Sequence, residues 1–163
     1  MLEKIKNNFW KTNTTLRRYL LPPVTDEMIQ EAEKHFDIKL PNSYISFLKY
    51  QNGGIPLKTR CPAPNATSWS SDHIEINGFF GISDNIREYK TVYTTDFYIK
   101  EWGYPAIGIV ICDCPSAGHD LIFLDYSICG KNGEPRVVHI DQEWDYQITV
   151  LAENFEEFIK KLY

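Results

Sequence analysis

Fourteen consecutive residues, Cys114-Pro115-Ser116-Ala117-Gly118-His119-Asp120-Leu121-Ile122-Phe123-Leu124-Asp125-Tyr126-Ser127, hold a Cys, two Ser, a His and two Asp. A thiol or hydroxyl, an imidazole base and a carboxylate that orients it are the parts of a nucleophilic site. They work only in successive hydrogen bonds. Neighbours on a strand point to opposite faces, so His119 and Asp120 diverge. His119 shares a face with Asp125 but sits roughly 20 Å from it, at about 3.3 Å per residue. The stretch therefore assembles no triad from its own residues. Distant partners, such as Cys114 or Ser116 with His73, stay open. No G-x-S-x-G elbow, H-E-x-x-H pair or phosphate loop marks them. In the structural reading, Gly118 permits a turn and the Asp120 carboxylate ties down loop amides.

Metal chemistry finds little support in the spacing. The chain has four cysteines, Cys61, Cys112, Cys114 and Cys129, and no C-x-x-C pair. Cys112 and Cys114 share a strand face and, with His119 and Cys129, have the donor types of a zinc site. Structural zinc sites usually use C-x-x-C knuckles. Buried, reduced thiols are the expectation, with no metal and no cofactor. Asp141, Glu143 and Asp145 resemble the start of a calcium loop. Tyr146 stands where that loop needs Gly, and Ala152 where it needs a bidentate Glu.

At 163 residues the chain suggests one domain with one core. It has no apolar run long enough to cross a membrane as a helix, and its first residues carry no signal-peptide pattern. A cytoplasmic protein is expected. The net charge of −5 is concentrated. Seven acids (Asp113, Asp120, Asp125, Glu134, Asp141, Glu143 and Asp145) face only Lys131 and Arg136 between residues 112 and 145. A nucleic-acid binder shows the opposite patch. An acidic segment suits a basic protein partner, and its plain alternative is a solvated face. Asp141, Glu143, Asp145 and Asp113 are the candidate partner contacts. The turn-rich stretch 55–72, with Trp69, is the competing surface.

The elements that must position these groups read as follows. Residues 1–21 form an N-terminal segment with a short helix near Leu2–Trp10, and 22–163 form the domain. Thr25 caps a helix that ends near His35–Asp37. Pro41 opens a second helix, with Tyr44, Phe47 and Leu48 on its apolar stripe and Asn52-Gly53-Gly54 as its stop. Short strands follow at 73–76 and 78–82, part of 83–100 is helical, and 106–112 and 119–126 form a hairpin. Asn132-Gly133 signals a tight turn into 135–140. Trp144, Tyr146, Ile148 and Val150 alternate with Glu143, Asp145, Gln147 and Thr149, so the rings point inward and the carboxylates outward. Asn154 and Glu157 open a closing helix. Helices, an antiparallel sheet and a last helix make an α+β domain.

Several of these pieces together resemble a known family. They are Thr25-Asp26-Glu27, Leu40-Pro41 followed by Tyr44, Phe47, Leu48 and Asn52-Gly53-Gly54, then Trp69-Ser70-Ser71-Asp72-His73, Phe80-Gly81-Ile82 and Trp102-Gly103-Tyr104-Pro105. Ser116-Ala117-Gly118-His119-Asp120, Leu124-Asp125-Tyr126, Gly133-Glu134-Pro135-Arg136-Val137-Val138-His139 and Leu151-Ala152-Glu153-Asn154-Phe155 complete the series. The chain resembles the Smi1/Knr4 family of the SUKH superfamily over about residues 22–163. The resemblance implies a strongly bent, mainly antiparallel sheet with flanking helices, and no known catalytic residues or cofactor. It implies that Leu40, Pro41, Asn52, Gly53, Gly54, Gly118, His119, Asp120 and Asp125 hold the fold. Bacterial members look like immunity proteins that bind toxins, often nucleases or deaminases. Fungal members look like regulators of cell-wall synthesis. The expected function is thus protein binding, with immunity first, a housekeeping regulatory domain second, and an enzyme using Cys or His near 112–120 third. The partner is expected to be a basic protein domain, with no nucleic acid and no membrane.

Overall fold

The computed structural model describes residues 8–12 and 17–163. The helix expected at Leu2–Trp10 lies mostly outside them. Asn8 sits in a turn, and Trp10 bridges to Pro56. Helix α1 spans Asp26–Phe36. Thr25 Oγ1 accepts the Met28 N–H at 3.2 Å, and Asp37, in the left-handed region, ends the helix. Helix α2 spans Asn42–Tyr50 and buries Tyr44, Phe47 and Leu48. Leu40 and Pro41 before it are buried, and the Glu33 carboxylate accepts the Leu40 N–H at 2.9 Å.

What stops α2 also ties the chain together. The buried Asn52 amide donates to Pro22 O at 2.8 Å and Ile82 O at 3.0 Å, and accepts the Ile82 N–H at 2.8 Å. Gly53 follows at φ +80, where a Cβ would stand 2.5 Å from Tyr19 O. Only glycine fits both demands.

Strands β1 (Arg60–Pro62) and β2 (His73–Glu75) form a separate antiparallel pair. Strands β3 (Gly78–Phe79), β4 (Gly108–Asp113), β5 (Asp120–Asp125), β6 (Arg136–Asp141) and β7 (Gln147–Ala152) form an antiparallel sheet in chain order. Register shifts between Val110 and Cys112, and between Val137 and Val138, are irregularities of the kind that bend strands. Every residue of β5 is buried. Helix α3 (Thr95–Trp102) precedes β4, and α4 (Phe155–Lys161) closes the chain. The α4 residues Phe155, Phe158 and Ile159 are buried, each contributing about 1.5–3 kcal/mol. Phe155 meets Tyr44 at 5.0 Å and Phe47 at 5.1 Å between centroids. Phe9 and Trp10 join the same core. This is the α+β architecture expected of the sequence.

Two local expectations fail. Asn132 and Gly133 lie in a turn, closed by the Gly133 N–H on Gly130 O at 3.1 Å, but it is not a tight β5–β6 hairpin. The pair Asp125↔Arg136 leaves a ten-residue connection, and its positive φ falls on Gly130, at +74. The alternation read from Glu143 to Val150 is also broken. Gln142–Trp144 form a 3-10 turn, and Asp145 and Tyr146 both adopt positive φ, 53 and 58. These two left-handed residues reset the phase. Trp144 is 46% exposed and Ile148 41%, whereas Thr149 is buried at 2%.

Candidate functional site

The chemistry of the opening stretch is completed from another strand. Asp120 starts β5 opposite Asp141, and His139 lies two residues earlier on β6, on the same face and one diagonal step away. His139 Nε2 and Asp120 Oδ2 are 2.7 Å apart, and His139 is fully buried. Cys114 contributes a third donor atom, all three lying within 4.8 Å of one another. Burial, and then the Asp120 charge, push the Cys114 thiol well above its ordinary range. The other thiols move the same way, Cys61 to about 11 through burial.

This cluster is not a nucleophilic triad. The carboxylate stands between thiol and imidazole, whereas a triad puts the base between nucleophile and orienter. A thiol held protonated is also a poor nucleophile. Nor does the cluster fit a tetrahedral metal ion. Nitrogen and oxygen ligands at about 2.0–2.1 Å from zinc stand about 3.4 Å apart, well beyond the Asp120–His139 contact. Ser116 and His73 do meet in one cavity, but no hydrogen bond joins them; His73 Nδ1 faces Asp72 Oδ1 at 2.7 Å and Ser70 Oγ at 2.9 Å.

Two buried polar atoms of the cluster, Asp120 Oδ1 and His139 Nδ1, have no hydrogen-bond partner among the described residues. The Asp120 carboxylate does not tie down loop amides, as the sequence suggested. Its backbone N–H instead donates to Ser116 Oγ at 3.0 Å. Asp120 lies at a cavity of about 190 Å³ lined also by Trp69, Ser70, His73, Glu75 and Ser116.

Three loops converge here. The 115–119 turn carries Gly118 at φ +102, its carbonyl accepting from Tyr104 Oη at 2.6 Å. Ring contact with Trp102 at 5.4 Å and a 2.6 Å contact with Glu143 Oε1 hold His119. His119 O accepts the Gln142 N–H, joining this turn to 142–146. The third loop carries Trp69. Asp141 clasps it, its carboxylate accepting Ser68 N–H and Ser68 Oγ–H, both at 2.8 Å, and also the Glu143 N–H.

The candidate partner residues therefore divide. Trp69 is 51% exposed, and Glu143 and Asp145 are exposed. Asp113 and Asp141 are buried at 4% and 0%, so neither offers surface charge. Asp113 accepts from Tyr19 Oη at 2.7 Å and from Lys90 Nζ at 3.0 Å. Of the seven acids in the segment, Glu134, Glu143 and Asp145 are exposed, so the charge concentration is largely internal. The acidic turn and the Trp69 loop, taken as rivals from sequence, are neighbours joined by Asp141. His139 and Ser68 were missed. The only cue was a histidine inside an apolar strand, two residues from an acid. Asp125, buried at the far end of β5, accepts from Arg136 Nε and the Ser127 N–H, both at 2.8 Å.

With this fold on the page, residues 26–159 match the sequence profile of SUKH_6, the SMI1-KNR4 cell-wall family. The chain belongs to the SMI1-KNR4 family. No curated protein matches it. Among the described residues, no helix is long and apolar enough to cross a membrane.

Proposed function

We propose that this SMI1-KNR4 chain is a non-catalytic protein-binding domain, a cytoplasmic immunity protein that neutralises a polymorphic bacterial toxin of the nuclease or deaminase class. The observation that carries the reading is the loop cluster at one end of the sheet. Trp69 and Trp144 stand half-exposed there beside Glu143 and Asp145, on loops clasped by Asp141. Exposed tryptophans ringed by polar groups have the make-up of interface anchors. The acids suit a basic toxin surface that otherwise grips nucleic acid, and such charge acts chiefly on the association rate.

The test is co-expression with the toxin encoded beside this chain's gene, followed by binding rates for a Glu143→Lys, Asp145→Lys variant. The variant is expected to associate roughly tenfold more slowly at low salt and to converge with the wild type at high salt. Full protection with an unchanged rate sinks this surface assignment. The family description, which names the cell wall, favours a second reading: a housekeeping regulatory domain with no toxin partner. A growth or wall defect on deletion, in cells lacking the toxin, decides for it.

A further inference from the structure

We propose that the outer edge of β2 accepts an extended strand of the basic protein partner, seated in the slot between His73-Ile74-Glu75 and the 115–116 turn. This deepens the protein-binding reading and rests on it.

The direction of the backbone groups is the starting point. Neighbouring residues of an antiparallel strand send their N–H and C=O groups to opposite edges. Flanking the β1–β2 pair, Ile76 N–H donates to Thr59 O at 2.8 Å and Ala63 N–H to Asp72 O at 2.9 Å, so the even-numbered residues serve β1. His73 and Glu75 therefore present their backbone groups to the other edge. Asn77, two residues on, shows where that edge faces: its N–H donates to Asp113 O at 2.8 Å. Beyond that bond the two segments part, and Pro115 has no N–H with which to continue the ladder. Among the described residues, nothing meets the backbone groups of His73 or Glu75.

The cavity of about 190 Å³ fills this gap. A hollow over a sheet face is lined by alternate residues and by their cross-strand partners. This one is lined by three successive residues, His73, Ile74 and Glu75, with Pro115 and Ser116 opposite and no residue of β1. One turn of helix, about 10 Å wide and 5.4 Å long, takes about 400 Å³, so the slot suits extended chain. Two N–H and two C=O groups about 7 Å apart are what an added strand reads.

Other edges are closed. On the outer edge of β1, Arg60 exchanges both backbone bonds with Tyr163. On β7, Lys161 Nζ donates to Leu151 O. Strand β2 carries no Lys, Pro or bulge, the usual guards of an edge. Charge names the occupant. Asp72 and Glu75 are exposed here, and the 3.6 Å contact of Glu75 with Arg60 is a surface pair of little strength. A second copy would bring the same acids, whereas a basic strand is attracted to them. Trp69, which also lines the slot, gives an apolar residue of that strand a ring to pack on.

The full-length chain, labelled with nitrogen-15, is titrated with the blocked peptide acetyl-Val-Lys-Val-Lys-Val-amide. The same peptide N-methylated along its backbone, and a version with glutamate for lysine, are run beside it. The lysine peptide is expected to give saturable shifts and slowed hydrogen exchange at the amides of His73 and Glu75. The N-methylated peptide should bind about tenfold or more weakly, having lost its donors. The glutamate peptide should also bind more weakly, most of all at low salt. Glu75→Pro, which removes one outward N–H and no internal bond, should weaken the lysine peptide about three- to tenfold. If that variant does not fold, the N-methylated peptide on the wild type decides. The proposal is overturned by absent or non-saturable shifts at those amides, by equal binding of either control peptide, or by larger shifts on β7. Concentration-dependent protection of the same amides in the chain alone gives the edge to a second copy and also overturns it. Neutralisation of the toxin without slowed exchange at His73 and Glu75 in the toxin complex removes this proposal alone. Peptide binding at this edge without protection from the toxin leaves the edge assignment standing and removes the immunity reading.

Discussion

Strand β5 begins and ends with a buried aspartate, and the two ends are built differently. At the far end both oxygens of Asp125 are used, one by Arg136 and one by the Ser127 N–H. At the near end Asp120 uses one oxygen on His139 and keeps the other unbonded beside a cavity. The first arrangement locks a hairpin connection. The second gives up a hydrogen bond where three loops meet. An acid within an apolar strand is thus no sign of function by itself; what separates fold from site is whether its hydrogen-bond capacity is filled.

That contrast is best broken at its closed end. Asp125→Ala leaves Arg136 without its partner and is expected to cost about 3–5 kcal/mol. Asp120→Asn keeps an acceptor for His139, so it should stay within about 1 kcal/mol of wild type. Urea unfolding of both variants checks this. Equal losses erase the distinction between the two ends.

Ser68→Ala sharpens the open end. It removes the hydroxyl that donates to Asp141 and should cost about 1–2 kcal/mol. Hydrogen exchange at Trp69 and Ser70 should speed up while the β5 amides keep their protection. Uniform acceleration would show that the clasp supports the whole sheet, not the loop.

The smallest effect concerns Asp113, an acid at the same end of the sheet whose partners, Tyr19 and Lys90, are both internal. Burial, the largest influence, raises its pKa above the ordinary 3.8, although Lys90 and Tyr19 pull the other way. A carboxyl that holds its proton more tightly when folded favours folding at low pH. That contribution is lost as the pH rises through the folded pKa. The stability of wild type relative to Asp113→Asn should therefore decline between pH 3.5 and 7, measured by urea midpoints. A rising difference would mean that the Lys90 pair outweighs desolvation.

Much of the fold was legible because it rests on local chemistry. Thr25 and Asn154 act as helix caps through 3.2 Å and 2.9 Å hydrogen bonds, and Asn52-Gly53-Gly54 ends α2 where its glycines are needed. The site was less legible because it depends on register. No local rule sets His139 diagonally across from Asp120. The alternation after Glu143 misled because two non-glycine residues in succession take left-handed backbone, which sequence periodicity does not reveal. Charge misled for a related reason: Asp113, Asp120, Asp125 and Asp141 all stand at strand ends, where a carboxylate finds internal donors as readily as solvent.

The five-stranded sheet runs in chain order, each strand beside the one before it. That meander has a consequence for how the protein is made. Three of its four pairings, β4 with β5, β5 with β6 and β6 with β7, close short connections, so the sheet can zip hairpin by hairpin at little entropic cost. The opposite holds for the elements that precede the sheet. Phe9 and Trp10 pack on Phe79, and Tyr44 on Phe155, rings that leave the ribosome later. Tyr44 and Phe47 on α2 keep part of their packing surface uncovered until Phe79 and then Phe155 of α4 arrive. Those residues are where a chaperone would hold the nascent chain.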